Sequence, residues 1–312
     1  MEIIKPKTNI NFMGQRKLAL IVSICLIVLS LGSLMTRGLN YGLDFTGGTL
    51  IQVNYQTTPE LTEVRSALEG AGFDGAVVQT FGDDQSLSIR IGSDEASASP
   101  EFSKAVMDAL ATTSDQEIEK LREEYVGPQV GDELTNKGGV AMIFALICIL
   151  IYIIMRFQWK FSIGAVLALV HDVVIIIGFF SITQVEFDLT VLAALLAVIG
   201  YSLNDTIVVY DRIRENFRTL RKGDSETIFN TSINQMLART LVTSLTTLLV
   251  LLSLFFLGGE IIHSFAEALI VGVIIGTYSS IYIAASTLMF LDVTKMDMVE
   301  EKKNDPALDA MP

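Results

Sequence analysis

The sequence predicts an α-helical polytopic membrane protein with six transmembrane helices and one α+β ferredoxin-like (βαββαβ) domain between helices 1 and 2. Hydrophobic residues make up 51% of the 312 positions, more than a soluble protein of this size usually carries. Six apolar runs approach the ~20 residues that cross a bilayer. A polar, acidic stretch separates the first two runs. The runs are Leu18–Met35, Gly138–Met155, Phe161–Ile182, Leu189–Tyr210, Thr240–Leu257 and Phe265–Phe290.

Basic residues in the connections predict the orientation. Lys and Arg occur before the first run, between the second and third, between the fourth and fifth, and after the sixth, whereas 183–188 and 258–264 have none. Under the positive-inside rule both termini are cytoplasmic, so the long segment after the first helix is external. The first run has a basic lead but no small-x-small cleavage site, which indicates an uncleaved anchor.

The predicted domain boundaries follow from these runs: a cytoplasmic N-terminus (1–17), transmembrane helix 1 (18–35), the external domain (36–137), helices 2–6 (138–290) and a cytoplasmic tail (291–312). Segment 36–137 carries 7 basic and 18 acidic residues. This acidity excludes nucleic-acid binding there, because nothing would neutralise phosphates.

The external domain alternates strand and helix patterns. Thr49–Tyr55 predicts a strand, and a helix, a hairpin, a second helix and a closing segment follow. Ile118–Val126 reads as the last strand, although its charges also suit a helix. The order is that of a split βαβ arrangement. Without His, Cys or a distinctive carboxylate pair, the domain suits polypeptide contact rather than catalysis. The middle elements are Pro59–Ala71, Ala76–Phe81, Ser86–Ile91 and Pro100–Thr113.

Signatures of enzymatic or metal chemistry are missing from the sequence. It has no phosphate-binding G-x-x-x-x-G-K-[ST] loop and no H-E-x-x-H, and its two histidines, His171 and His263, form no cluster. We therefore expect a non-enzymatic protein with no ATP hydrolysis, no metal and no cofactor. Cys25 and Cys148 lie in apolar runs and are expected to stay reduced.

Three ionisable residues within or beside apolar runs are the candidate functional residues: Asp172, Asp205 and Arg239. Charges at membrane depth usually face a bundle interior, a water path or a partner charge. Asp205 lies roughly 8 Å beyond the middle of its helix, on the side where Arg239 enters. Desolvation opposed by a nearby cation suits a carboxylate that takes up and releases a proton. A proton relay of these three residues is the functional hypothesis.

Small and polar residues support this hypothesis. Gly200 and Ser202 would allow close helix approach and water access around Asp205 and Asn204. Four hydroxyl residues after Arg239 predict one polar helix stripe: Thr240, Thr243, Ser244 and Thr247.

Simpler roles stay open for some of these residues. Asp172 could hold an interhelical network with His171 or serines, and Arg239 could be an interfacial anchor. His263 and Glu267 are shallow and suit an interfacial role.

Four long motifs resemble the SecD/SecF family of protein-export membrane proteins, and the match extends over essentially the whole chain. The small external domain is similar to the SecF branch rather than to SecD. The motifs are Gly42–Thr49 (GLDFTGGT), Ala168–Val173 (ALVHDV), Ile199–Asn216 (IGYSLNDTIVVYDRIREN) and Ala238–Thr247 (ARTLVTSLTT).

This resemblance implies membership of the resistance-nodulation-division superfamily and a multi-pass location in the bacterial inner membrane, which makes the external domain periplasmic. It implies SecD as partner in a pseudo-symmetric twelve-helix complex that associates with the SecYEG translocon and a translocating preprotein. YajC and YidC are further candidate partners. The family uses the proton-motive force in late, ATP-independent translocation, with protons as coupling ion. Asp205 and Arg239 fall on positions that it associates with proton conduction.

Two other functions stay open. One is a proton-coupled exporter of small molecules or lipids from the same superfamily, although such pumps carry two large external domains and twelve helices in one chain. The other is a passive translocon assembly factor. Sodium rather than proton coupling also stays open.

Overall fold

Six membrane-spanning helices and a small sheet domain make up the described part of the protein. The structure is a computed structural model that describes residues 8–92, 99–220, 224–259, 262–294 and 297. Within these residues, six helices are long and apolar enough to cross a membrane. The sheet domain lies between the first and second of them. The predicted fold class is confirmed.

The spans pack as a central trio with three outer helices. The helices are α1 (Arg16–Arg37), α5 (Pro128–Arg156), α6 (Trp159–Thr183), α7 (Leu189–Thr219), α8 (Ser225–Leu257), α9 (His263–Ser279) and α10 (Ala285–Phe290). Helix α9 continues through a π-helical turn into α10, and together they form the last span. About half of the most apolar 18-residue stretch of α6, α7 and the last span is buried, against 17% or less for α1, α5 and α8.

Several spans are longer than the apolar runs that predicted them. Helix α5 begins ten residues before Gly138, at Pro128, where proline suits a first helical turn. Helix α7 continues past Tyr210 to Thr219. Helix α8 begins at Ser225, and the Asp224 side chain caps it by accepting a hydrogen bond from the Thr227 amide. Apolar runs mark the membrane-embedded part of a helix, and these polar extensions lack that signal.

The sheet domain has the βαββαβ order that the sequence predicts. Its strands are β1 (Gly48–Asn54), β2 (Val77–Phe81), β3 (Asp83–Ile91) and β4 (Glu119–Val126), arranged β2-β3-β1-β4 with antiparallel neighbours. The closing segment is therefore a strand. Helix α3 (Leu61–Gly70) follows β1 and α4 (Pro100–Leu110) follows β3, as in a split βαβ arrangement. A short helix, α2 (Leu43–Thr46), precedes β1.

Both faces of strand β1 are buried. Ile51 and Val53 belong to the domain core, which includes Val64 of α3 and Val106 of α4. On the opposite face, Leu50 is only 6% exposed, and it lines a cavity of about 250 Å³ that also involves the α6–α7 loop and the beginnings of α7 and α9. The second face of the sheet therefore lies over the ends of the membrane helices, at what we call the sheet-domain end of the bundle.

Small residues bring the helices into close contact. A Cβ atom added to Gly178 of α6 would lie 2.7 Å from the Ser30 Cα of α1. A Cβ on Gly276 of α9 would lie 3.0 Å from the Ser202 Cβ of α7. Membrane helices associate through such close backbone approaches, because lipid offers no hydrophobic driving force between them.

Gly178→Ala should therefore destabilise the protein, although alanine is the better helix former. We expect a loss of about 1–3 kcal/mol in the free energy of unfolding, because α1 must move away from α6. Thermal unfolding of the detergent-solubilised protein measures this. Gly32→Ala is the matched control, because a Cβ there meets no atom within 4 Å. Equal stability of both variants would contradict the packing described.

A candidate proton-coupling site in the helix bundle

Asp172 is the centre of a hydrogen-bond network between the three central helices. It lies in α6 and is 1% exposed. Its Oδ2 accepts hydrogen bonds from the Ser202 hydroxyl of α7 at 2.5 Å and the Ser279 hydroxyl of α9 at 2.8 Å. Its Oδ1 lies 2.9 Å from the His171 Nδ1. The interhelical network that the sequence left open as a role for Asp172 is present.

The backbone around Ser279 positions its hydroxyl. Ser279 is the last residue of α9, and the chain continues as a π-helical turn over Ser280–Ala284. Such turns add a residue to a helix and are frequent at functional sites. One turn earlier, Gly276 allows α9 to approach Ser202 closely.

The network continues through aromatic residues to the outer helix α1. The His171 ring stacks on Tyr278, with ring centroids 6.1 Å apart. The Tyr278 hydroxyl donates to the Ala19 carbonyl at 2.6 Å and lies 3.0 Å from the Ser23 hydroxyl. The His171 Nε2 is buried and has no hydrogen-bond partner among the described residues. Tyr278, Ser279 and Ser23 were not predicted from the sequence, where their signal is a polar side chain within an apolar helix.

Asp205 has a different environment from Asp172. It is buried in α7, 4% exposed, and its Oδ2 has no hydrogen-bond partner within the described part of the chain. Arg239 of α8 is the cation within electrostatic range, but no direct ion pair within 4 Å forms between them. Arg239 itself lies on the exposed side of α8. The structure therefore places Arg239 near Asp205, as the sequence predicts, without an ion pair between them.

The predicted hydroxyl stripe on α8 divides into two kinds of residue. Thr240 and Ser244 are buried, while Thr243 and Thr247 are half-buried. Of these four residues, only Ser244 makes a described side-chain hydrogen bond to another helix. Its hydroxyl accepts from the Tyr201 hydroxyl at 3.2 Å and lies 2.7 Å from that of Thr277 in α9. The Thr247 hydroxyl donates to the Thr243 carbonyl of its own helix.

Gly200 and Asn204 do not face the network. Both are exposed on α7, and a Cβ added to Gly200 would meet no atom within 4 Å. No other described helix of this chain therefore approaches α7 closely at Gly200, contrary to the expectation from the sequence. The close approach is made instead by Gly276 of α9 at Ser202. Helical geometry explains the difference, because Asn204 lies about 100° around the helix from buried Asp205.

Two other predicted groups lie apart from the network. His263 and Glu267 are one turn apart at the sheet-domain end of α9, with Nε2 and Oε1 3.9 Å apart. The free cysteines Cys25 and Cys148 are exposed on α1 and α5.

The two central carboxylates, Asp172 and Asp205, differ in their hydrogen-bond partners. Asp172 faces three potential donors, and its hydrogen bonds join three helices. The Asp205 Oδ2 has no described hydrogen-bond partner. The arrangement therefore gives Asp172 a structural role and leaves Asp205 as the candidate for proton binding.

Removing Asp172 should cost more stability than removing either of its serine partners. We expect Ser202→Ala to lose about 1 kcal/mol, which is typical of one hydrogen bond between membrane helices. Asp172→Ala should lose about 3 kcal/mol, because several buried polar groups lose their partner together. Thermal unfolding in detergent compares them. Asp211→Ala, which removes an exposed ion pair with Arg156, should change stability little. An Asp172→Ala protein as stable as the Ser202→Ala protein would contradict the network.

Family models match most of the chain. The model described as "Protein export membrane protein SecD/SecF, C-terminal" matches residues 106–294. The model described as "SecD/SecF GG Motif" matches residues 32–59, which include the Gly42–Thr49 motif.

Named relatives match over nearly their full length. The protein translocase subunit SecF of Pseudomonas aeruginosa is 51% identical over 298 residues, covering 95% of this chain and 96% of the relative. The SecF of Vibrio alginolyticus is 46% identical, covering 100% of this chain and 99% of the relative.

A solved structure shares the fold. The crystal structure of SecDF from Thermus thermophilus, described as a translocon-associated membrane protein, superimposes with a TM-score of 0.84 at 36% identity. The match covers 93% of this chain and 40% of the SecDF chain, so this chain corresponds to one part of that protein. With its six spans, its sheet domain and these matches, the chain belongs to the SecD/SecF family of protein-export membrane proteins.

Proposed function

We propose that this chain is the SecF-type subunit of a SecD–SecF complex that uses the proton-motive force to assist preprotein translocation through SecYEG across the bacterial inner membrane. The names of its relatives and the related translocon-associated structure support a role as an accessory subunit of the Sec translocase. The chain corresponds to 40% of the SecDF chain, and SecD would supply the remainder in this proposal.

The observation that carries proton coupling is the buried Asp205 carboxylate with its unpartnered oxygen near Arg239. A buried charge is stabilised by an opposite charge, so an ionised Asp205 attracts Arg239. A proton on Asp205 removes that attraction. Proton uptake therefore changes the force between α7 and α8, which carry the two residues.

The network around Asp172 holds the helices that this force acts on. Ser202 lies less than one turn before Asp205 on α7 and donates to Asp172 of α6. A shift of α7 must therefore either carry α6 and α9 with it or strain this hydrogen bond. The network makes α6, α7 and α9 respond together, and α8 is joined to α7 and α9 through the Ser244 hydroxyl.

The proton gradient supplies enough energy for such a change. One elementary charge crossing 100 mV gives roughly 2.3 kcal/mol, which biases a two-state packing equilibrium about fifty-fold. The coupling then requires that the two states differ in affinity for the proton and for the preprotein chain.

Asp205→Asn should abolish gradient-stimulated translocation while leaving the complex with SecD assembled, because asparagine keeps the shape but cannot titrate. Asp205→Glu should retain part of the activity. Arg239→Lys should impair less than Arg239→Ala, because lysine keeps the cation but not the planar guanidinium. Preprotein import into inverted membrane vesicles after ATP depletion, with and without a proton gradient, measures these effects.

Three results would redirect the proposal. Full stimulation with Asp205→Asn at normal abundance would reject proton coupling at this residue and favour a passive assembly factor. Stimulation that follows an imposed sodium gradient instead would identify sodium as the coupling ion. Export of a small amphiphile without any preprotein effect would favour the exporter function.

The proposed orientation predicts where single cysteines react. In a background with Cys25 and Cys148 replaced by serine, Glu69→Cys on α3 should react with an impermeant maleimide added from outside the cell. Arg218→Cys near the end of α7 should react only in inverted vesicles. Both side chains are exposed, so labelling is limited by the membrane alone. Labelling of both from one side would overturn the topology.

A further inference from the structure

The Gly42–Thr49 motif joins the membrane helices to the sheet domain, a position that proton carriage at Asp205 does not explain. The motif contains α2, Leu43–Thr46. The Asp44 Oδ2 accepts a hydrogen bond at 3.0 Å from the Leu189 amide, at the first residue of α7. The Phe45 carbonyl accepts one at 3.5 Å from the Thr135 hydroxyl of α5. The motif thus contacts two membrane helices near their sheet-domain ends.

The two glycines of the motif connect α2 directly to the sheet. Gly47 and Gly48 have φ angles of 65° and 124°, which favour glycine. A Cβ on Gly48 would lie 2.3 Å from the Ile91 carbonyl oxygen at the end of β3. Strand β1 begins at Gly48 itself, so a movement of α2 reaches the central strand of the sheet within one residue.

The segment before α2 is bound to the α6–α7 loop by the backbone. The Phe187 amide donates to the Asn40 carbonyl at 2.8 Å, and the Gly42 amide donates to the Phe187 carbonyl at 2.8 Å. The Phe187 ring stacks on Phe45, with centroids 6.1 Å apart. The loop that leads into α7 therefore moves with the beginning of the motif.

Arg90 of β3 is the cation at this contact between the sheet domain and the α6–α7 loop. Its side chain is 11% exposed and lies 3.5 Å from the Glu186 Oε1 in the same loop. It also donates to the Asn40 Oδ1 at 2.8 Å and to the Tyr41 carbonyl. One guanidinium of the sheet domain thus binds both the loop and the segment before α2.

The surroundings of Glu186 make this cation important. Burial raises the pKa of the Glu186 carboxyl, and the like charges of Asp188 and Asp44 raise it further, whereas Arg90 and the Leu43 amide oppose them. Arg122 also lines this cleft, but it pairs with Glu124 of its own strand. Loss of the Arg90 charge would leave three carboxylates repelling one another.

We infer that Gly42–Gly48, Arg90 and Glu186 form a mechanical joint that transmits movement of α7 to the sheet domain. The inference rests on the proposed coupling at Asp205, which lies on the same continuous helix about 24 Å from Leu189. A helix carries displacement along its axis, and Asp44 and Glu186 hold its first residues against the domain. Arg90 and Glu186 are positioning residues in this scheme, since neither contacts the proton-binding carboxylate.

A charge exchange tests the joint in vesicles that contain the complex with SecD. Arg90→Glu and Glu186→Arg should each reduce gradient-stimulated translocation about tenfold, the effect expected of one charge-assisted contact. The double exchange should raise stimulation above both single exchanges, because the pair is re-formed with reversed sign, but only in part, because glutamate cannot donate to the Tyr41 carbonyl. Arg122→Glu is the matched control, with the same charge change in the same cleft, and should retain stimulation. If a charge reversal lowers the abundance of the protein, Glu186→Gln, which keeps the shape but removes the charge, should be used in its place.

Hydrogen exchange separates this inference from proton coupling itself. Arg90→Glu should speed amide exchange in residues 185–189 whether or not Asp205 titrates, and Arg122→Glu should not. Unchanged exchange, or full stimulation with Arg90→Glu where Asp205→Asn abolishes it, would overturn the joint and leave the proposed function standing. Full stimulation with Asp205→Asn would reject the proposed function, and the exchange result would still decide whether the contact holds the loop.

Discussion

The carboxylate of Asp172 sets the main constraint on this bundle. A charge at membrane depth needs partners from its own protein, because lipid offers none. Serines of α7 and α9 and the neighbouring histidine supply them. Meeting that demand fixes the distances between the three central helices, and it explains why glycine lies where α9 passes closest to Ser202.

Against this fixed centre, the neighbouring carboxylate is left incomplete. Asp205 lies on the same helix as Ser202 but has an unpartnered oxygen, and its nearby cation is on the outer helix α8. A satisfied group resists change, while an unsatisfied one gains a partner when the helices shift or a proton binds. One carboxylate with all its partners and one with an unpartnered oxygen, in the same bundle, are what the proposed proton-driven cycle requires.

The sequence specified the fold better than the site. Hydropathy located six helices and alternation located four strands, because burial imposes those patterns directly. Asp172 and Asp205 stood out because charge is rare in apolar runs. The partners of Asp172 did not, since Ser202 and Ser279 resemble many other small polar residues until the helices are packed. The polar extensions of α5, α7 and α8 beyond the apolar runs were not predicted, because they lack a hydrophobic signal.

In the inferred mechanism, the short Gly42–Thr49 motif is as important for coupling as the buried charges. Movement of a membrane helix can assist translocation only if it is transmitted to a domain that contacts the polypeptide. A flexible linker would not transmit it. Here Asp44 binds the first amide of α7, and Gly48 places the next residues inside the sheet. The cation opposite, Arg90, holds the loop in place electrostatically. The route that we infer from Asp205 to the sheet domain thus runs through one helix and one short motif.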